Sequence, residues 1–259
     1  MLSLTDHLAA WIHDQVAGGG GRGVVFGVSG GIDSAVVAGL AQRAFPKHAL
    51  GVLMPCHSDP QDAEDGALVA EHFGIDVTTV DLTPTFDVVA RTLAAASPAL
   101  LESRLALANL KPRLRMTALY ALANQLGYFV AGSSNRSELA VGYFTKYGDG
   151  GVDLLPLGSL VKHEVRELAL ALEIPERIIA KPPSAGLWAG QTDEGDMGLS
   201  YEELDAYLLT GEASEDVRIS VDAMRAGSEH KRALPTIAPR PGDPMDAAHR
   251  TGPTASDTV

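Results

Sequence analysis

The chain of 259 residues contains one cysteine, Cys56. A single thiol excludes an internal disulfide, and the absence of a Cys-x-x-Cys pair excludes the common zinc frameworks. Positive charge is also scarce: 20 Lys and Arg stand against 33 Asp and Glu, a net charge of −13. That deficit argues against a broad nucleic-acid footprint, which needs surplus Lys and Arg to meet phosphates. It leaves room for a small anion in a local basic pocket. Long apolar runs are missing as well, and none approaches the ~20 residues that span a bilayer. Residues 1–14 read as an amphipathic helix with Leu4, Leu8, Trp11 and Ile12 on one face, carrying Asp6 and Asp14 and no basic leader. This is not a secretory signal, and a cytoplasmic protein is expected. No internal repeat stands out.

Ordinary globular composition, with 46% hydrophobic and 20% charged residues, predicts one large domain that buries roughly 75% of its unfolded surface. Short β-branched runs alternate with helical patterns. Strands are expected at 24–28, 49–54, 76–82 and 128–131. Helices are expected at 33–43, 60–73 (Ala63, Ala67, Val69 and Ala70 inward), 160–172 and 201–209. The last is opened by Ser200 and Glu203 as a capping box. The Ala- and Leu-rich stretch 84–126 reads as several helices punctuated by Pro98 and Pro112. Residues 181–198 read as a Gly- and Pro-rich loop, with a lid as one use for 185–198. The β-α-β-α-β alternation predicts a parallel sheet flanked by helices. One domain over 1–234 and a disordered tail over 235–259 follow.

Directly after the first strand comes Gly27-Val28-Ser29-Gly30-Gly31-Ile32-Asp33-Ser34. Strand, glycine-rich turn and helix form the geometry that aims backbone N–H groups at an anion. Ser29 and Ser34 can add hydroxyl donors, and Asp33 could hold a magnesium ion. No lysine follows the glycines, so the Walker pattern is absent. The dinucleotide fingerprint fails too, because Phe26 stands where its third glycine belongs.

The S-G-G-x-D-S pattern resembles the pyrophosphate loop of the ATP pyrophosphatases, whose fold is Rossmann-like (adenine nucleotide alpha hydrolase-like). Further segments extend the resemblance: Asn109-Leu110-Lys111-Pro112-Arg113-Leu114-Arg115-Met116, Gly132-Ser133-Ser134-Asn135-Arg136-Ser137-Glu138, the run from Val141 through Phe144-Thr145-Lys146-Tyr147-Gly148-Asp149-Gly150 to Pro156, the run from Lys181 to Trp188, and Glu229-His230-Lys231-Arg232. From the N-terminal helix to about Pro235, the chain is similar to the ammonia-dependent NAD synthetases. That resemblance implies adenylation of the nicotinate carboxylate of deamido-NAD by ATP, with release of pyrophosphate, and then displacement of AMP by ammonia.

The resemblance also implies roles by position. Residues Gly27, Val28, Ser29, Gly30, Gly31, Ile32, Asp33 and Ser34 would cradle the ATP phosphates, with Ser133, Lys162 and Ser184 as further ATP contacts. Asp33 and Glu138 would bind Mg2+, and Asp33, Glu138 and Lys162 would form the catalytic set. Arg113, Lys146, Asp153, His230 and Lys231 would contact deamido-NAD. Ser133 and Ser184 stand where some family members carry threonine, and serine keeps the hydroxyl. A homodimer is implied, and the helices between Pro98 and Leu126 are the expected interface. Glutamine-using relatives carry an upstream amidase domain; here the loop begins within thirty residues of Met1, so free ammonia is the expected nitrogen source.

Plainer readings compete with several of these roles. Glu138 taken alone is a solvated acid at a loop-to-helix junction. Lys146 and Asp153 could form a surface ion pair worth ~0–1 kcal/mol. Asp149 is read equally well as a turn former before Gly150 or as a proton acceptor for ammonium. Arg115 points away from Arg113 on the same helix and reads as structural or as an interface charge. Cys56, ending an apolar strand, reads as core or pocket edge and not as a nucleophile paired with His57. Two other classes remain as alternatives. An RNA-modifying member of the loop group would need a basic face and cysteine pairs. A non-catalytic nucleotide-binding module would need to have lost Asp33, Glu138 or Lys162.

Overall fold

The computed structural model describes residues 3–188, 190–238 and 240. The tail expected from 235 falls mainly on 241–259, outside the described residues. Helix α1 (Leu4–Gly18) leads into β1 (Val24–Gly27), α2 (Ile32–Ala44), β2 (Ala49–Leu53), α3 (Pro60–Phe73) and β3 (Asp76–Thr79). Then come α4 (Thr83–Ala96), a 3-10 turn (Pro98–Glu102), α5 (Arg104–Ala108), α6 (Leu110–Leu126) and β4 (Phe129–Val130). Helices α7 (Arg136–Val141), α8 (Lys162–Ala171), α9 (Glu176–Ile179), α10 (Asp193–Met197), α11 (Tyr201–Thr210), α12 (Glu215–Gly227) and α13 (Glu229–Arg232) complete the described chain.

Among the described residues the strands form one parallel sheet in the order β3-β2-β1-β4. Strand β1 is central because Val24, Val25 and Phe26 are apolar on both faces and at most 1% exposed. Val24 and Phe26 pack with Leu8, Ile12 and Val16 of α1, the small-residue face of α2, and Val165 and Leu168 of α8. Val25 points the other way, onto Val52, Val130, Leu119 and Ala123. This period of two puts helices on both faces, as the alternation of elements predicts. A smaller apolar cluster, including Val141, Met197, Tyr201, Leu204 and Val221, ties α7, α10, α11 and α12 together. Because the order reverses between β1 and β4, a crevice opens there at the carboxyl ends of the strands, where open α/β sheets bind ligands.

Several expected boundaries shift for identifiable reasons. Strand β2 ends at Leu53 and β3 at Thr79. Pro55 has no N–H to continue the ladder, and beyond Thr79 only isolated bonds persist, from Val80 N to Leu53 O and from Leu82 N to Pro55 O, both 2.8 Å. On α3 the inward residues are Asp65, Gly66, Val69 and Ala70, while Ala67 faces out. A buried acid breaks the apolar pattern there, and its partners lie far away in sequence. The expected loop 181–198 contains α10, capped by the Thr192 hydroxyl accepting from Gly195 N–H. The capping box at Ser200 and Glu203 is present as read.

Candidate active site

The loop after β1 and the loop after β4 face each other across one cavity of about 1260 Å³. Gly27, Val28, Ser29, Gly31, Ile32, Asp33 and Ser34 line it from the β1 side. Gly30 lies behind them with φ +75°, and a Cβ there would stand 2.6 Å from Asp62 O and 2.7 Å from Asp65 Cβ. The turn therefore needs glycine on both conformational and steric grounds. Ser34 Oγ accepts from Ser29 N–H at 3.2 Å and donates to Gly31 O at 2.9 Å, which holds the turn's shape. No side chain caps α2 at Gly31. Its first N–H groups are thus the kind of donors that an anion satisfies.

The turn is braced from behind. Asp65, 2% exposed, accepts from Lys181 Nζ at 2.7 Å and from Arg177 Nε at 2.7 Å, and Asp62 accepts from Lys181 Nζ at 2.8 Å. Burial pushes the Asp65 carboxyl up, but the hydrogen bonds and charges of Lys181 and Arg177 outweigh it and hold the group below the usual range.

Opposite the loop, Lys162 opens α8 with a side chain only 1% exposed, its Nζ 2.5 Å from Asp33 Oδ2 and 3.5 Å from Glu138 Oε1. Asn135 Nδ2 donates to both carboxylates, at 2.9 Å to Asp33 and 2.8 Å to Glu138. The local sequence explains this convergence. Asn135 and Glu138 form the capping box of α7, so the same bonds that start the helix aim Glu138 at the loop. Two carboxylates share one ammonium, and the excess negative charge shows. Burial, followed by the charge of Asp33, pushes Glu138 up to about 8 despite the pull of Lys162. Burial pulls Lys162 down, but Asp33 and Glu138 overcome it and raise the ammonium above its ordinary range. The N-terminus of α8 is already occupied, since Ser137 Oγ accepts from Lys162 N–H at 3.1 Å and Asp205 from His163 N–H at 2.8 Å. The uncapped helix N-terminus facing the loop is therefore that of α2.

Ser133, Ser184, Glu138, Lys162 and Lys231 also line the cavity. Lys231 donates to Gly142 O and Phe144 O at 2.8 and 2.9 Å. The remaining residues expected around deamido-NAD lie elsewhere. Arg113 is exposed and donates to Lys146 O, Lys146 donates to His230 O, and Asp153 accepts from Tyr120 OH and Val130 N–H. None of these four lines the cavity. Arg115 does point away from Arg113, as expected, yet it points into the cavity wall, donating to Met54 O and Ser58 Oγ at 3.2 and 3.1 Å. Cys56 is fully buried in the core, and burial raises its thiol; His57 Nε2 pairs with Asp87 instead. Asn135, Lys181 and Asp193 are site residues that sequence reading left without a role. The one available signal was the N-x-x-E capping pattern at Asn135.

Parallel sheet, switch-point crevice, pyrophosphate-type loop and facing lysine–carboxylate cluster define an α/β nucleotide-binding protein of the ATP-pyrophosphatase class. The family model described as NAD synthase matches residues 4–235. The chain is 50% identical over 233 residues to the NH(3)-dependent NAD(+) synthetase of Carboxydothermus hydrogenoformans, covering 90% of this chain and 96% of that one. In structure it resembles the NMN synthetase from Francisella tularensis, with a TM-score of 0.86 at 35% identity, covering 92% of this chain and 99% of that one. It also resembles an NH3-dependent NAD synthetase from Campylobacter jejuni, with a TM-score of 0.74 at 28% identity, covering 91% and 97%. The chain belongs to the NAD synthase family and is an enzyme, a ligase. Among the described residues, no helix is long and apolar enough to cross a membrane.

Proposed function

We infer that this enzyme amidates deamido-NAD with ammonia at the expense of ATP, giving NAD, AMP and pyrophosphate. The observation that carries the reading is the meeting of the uncapped phosphate turn, Lys162, Asp33 and Glu138 in one cavity of an NAD synthase family member. A carboxylate has no usable leaving group, so its oxygen first attacks the α-phosphorus. The bond to the bridging oxygen breaks, and pyrophosphate departs. Ammonia then attacks the acyl carbon, the C–O bond to AMP breaks, and the nitrogen loses a proton. The chain's part is placement and charge: the Gly27–Ser34 turn holds phosphates on N–H and hydroxyl donors, and Lys162 meets negative charge growing on the transferred group. Ser133 and Ser184 add hydroxyls at the cavity wall, and Lys231 supplies a cation at the cavity edge.

The donors at Asp33 and Glu138 fit Mg2+. They are hard oxygens drawn together by Asn135, and their surplus negative charge suits a divalent cation. No group of three or more His, Cys, Asp or Glu able to hold a metal occurs among the described residues. Two carboxylates suffice for an ion whose other ligands are phosphates and waters. When bound, such an ion neutralises phosphate charge. Arg113, Lys146, Asp153 and His230, placed at the outer surface, are proposed to act on deamido-NAD in a homodimer that works in the cytoplasm. Leu101 and Leu105, 62% and 64% exposed, supply the apolar surface such a dimer would cover.

Incubation with magnesium-ATP, deamido-NAD and ammonium chloride should yield NAD with pyrophosphate; ADP, or no NAD, would overturn the reading. Glutamine should replace ammonium poorly. Nicotinate mononucleotide belongs in the same assay, because the Francisella neighbour is named an NMN synthetase. Its faster amidation would reassign the acceptor and leave the chemistry unchanged.

A further inference from the structure

Lys181 joins two walls of the cavity that are far apart in sequence. It lines the cavity and stands between two acids of α3, donating to Asp62 at 2.8 Å and to Asp65 at 2.7 Å. These acids lie three residues apart, on one face of the helix. That face presses on the phosphate turn. Gly30 meets Asp62 O and Asp65 Cβ, and a Cβ on Gly66 would stand 3.0 Å from Val28 O. No side chain cushions these contacts, so a shift of α3 here is a shift of the turn. In the other direction Lys181 runs into Pro182, Pro183 and Ser184, all on the cavity wall. Two prolines fix φ and leave little slack between Lys181 and Ser184. The arm is pinned where Asp193 N–H donates to Pro183 O at 3.1 Å, and it turns back at Gly186, where a Cβ would lie 3.8 Å from Asp62 Oδ2.

We propose that Lys181 is a positioning residue for ATP: it locks the Ser184 arm to the phosphate turn and cancels the charge of the two acids behind that turn. The proposal rests on the ATP-dependent reading above. Charge and geometry ask for the same residue. Without Lys181, Asp62 would face an incoming polyphosphate with no cation in salt-bridge range among the described residues. Asp65 would keep only Arg177, which is half exposed. Two uncovered carboxylates beside a phosphate site repel the ligand. Burial pulls the Lys181 ammonium down, but the hydrogen bonds and charges of Asp62 and Asp65 outweigh it and hold the group above its ordinary range. Because both acids already hold this ammonium, Lys181 acts through them and through the arm. Its contribution therefore falls on nucleotide binding, whereas Lys162 meets the reacting group.

The test is steady-state NAD formation by Lys181→Met, with magnesium-ATP varied at saturating deamido-NAD and ammonium. Losing two charge-assisted contacts should raise the KM for ATP about ten-fold or more. The kcat at saturating ATP and the KM for ammonium should stay within about three-fold, a split that a general loss of structure would not give. The rise in Tm produced by a fixed concentration of magnesium-ATP should shrink in parallel. Arg177→Met removes the other cation on Asp65 and leaves the arm fastened, so it should lower Tm but raise the KM for ATP clearly less. An unchanged ATP KM in Lys181→Met, a parallel rise in all KM values, or an equal rise in Arg177→Met would overturn the assignment. If Lys181→Met does not fold, Lys181→Met combined with Asp65→Asn leaves no uncompensated buried carboxylate and takes its place. Its KM for ATP should exceed that of Asp65→Asn alone by about five-fold or more, and equal values would overturn the proposal. Absence of NAD formation by the wild type would instead refute the amidation reading.

Discussion

Replacing Lys162 by methionine keeps most of the length of the side chain and removes its charge. In the wild type Nζ lies 2.5 Å from Asp33 and 3.5 Å from Glu138, behind a side chain only 1% exposed. Without it, Asp33 and Glu138 meet across Asn135 Nδ2 with nothing positive between them, and they escape repulsion only by keeping a proton on Glu138, whose carboxyl burial and Asp33 already push up. Breaking a buried ion pair from one side costs about 3–5 kcal/mol, because the surviving charge stays desolvated. For a domain of this size each kcal/mol moves Tm by about 2–4 °C, so the variant should melt about 6–20 °C lower in the absence of ligands. Activity should fall further. Loss of a preorganised charge at a reacting phosphate should reduce kcat by about 10²–10³-fold, read as pyrophosphate release with magnesium-ATP, deamido-NAD and ammonium. Adding Asp33→Asn tests the cause. With one carboxylate removed the repulsion goes, so the double variant should regain much of the lost Tm and none of the activity. A single variant melting within about 2 °C of wild type would refute the view that Lys162 holds the carboxylates together. So would a double variant less stable than the single.

Gly30→Ala should cost about 2–5 kcal/mol, summing left-handed backbone strain and the clash with Asp62 O, and should raise the KM for ATP; thermal melts with and without ATP check both. Asp65→Asn should lose about 3 kcal/mol near neutral pH, toward the low end for a buried pair because Arg177 is half exposed. Since the folded carboxyl titrates below its unfolded value, its contribution is present above about pH 4 and fades below it. Denaturant melts of wild type and variant should therefore converge in acid, and a gap that persists there would exclude the charge-based account. Leu101→Asp combined with Leu105→Asp should leave the monomer fold intact and shift the sedimentation mass from two chains to one.

Sequence alone determined whatever depends on near neighbours. The apolar run at Val24–Phe26, the glycines after it and the helix beginning at Ile32 lie within a few residues of one another, so strand, turn and helix could be placed from their order. The same holds for the Ser200–Glu203 capping box. The motifs also sufficed to name the family. Tertiary structure decided which distant residues meet. Lys162 reaches Asp33 across a separation of 129 residues, and Lys181 reaches Asp65 across 116. No local pattern encodes such pairings, so buried Asp65 disrupted the reading of α3. Helix α6 shows the limit most directly. Its two arginines point about 200° apart, as spacing requires. Only packing against β1 and β4 decided that Arg115 enters the cavity wall, at Met54 O, while Arg113 stays outside. That Asp193 Oδ1 has no hydrogen-bond partner among the described residues was likewise invisible in sequence, because a missing partner is a property of the folded surroundings and not of the residue.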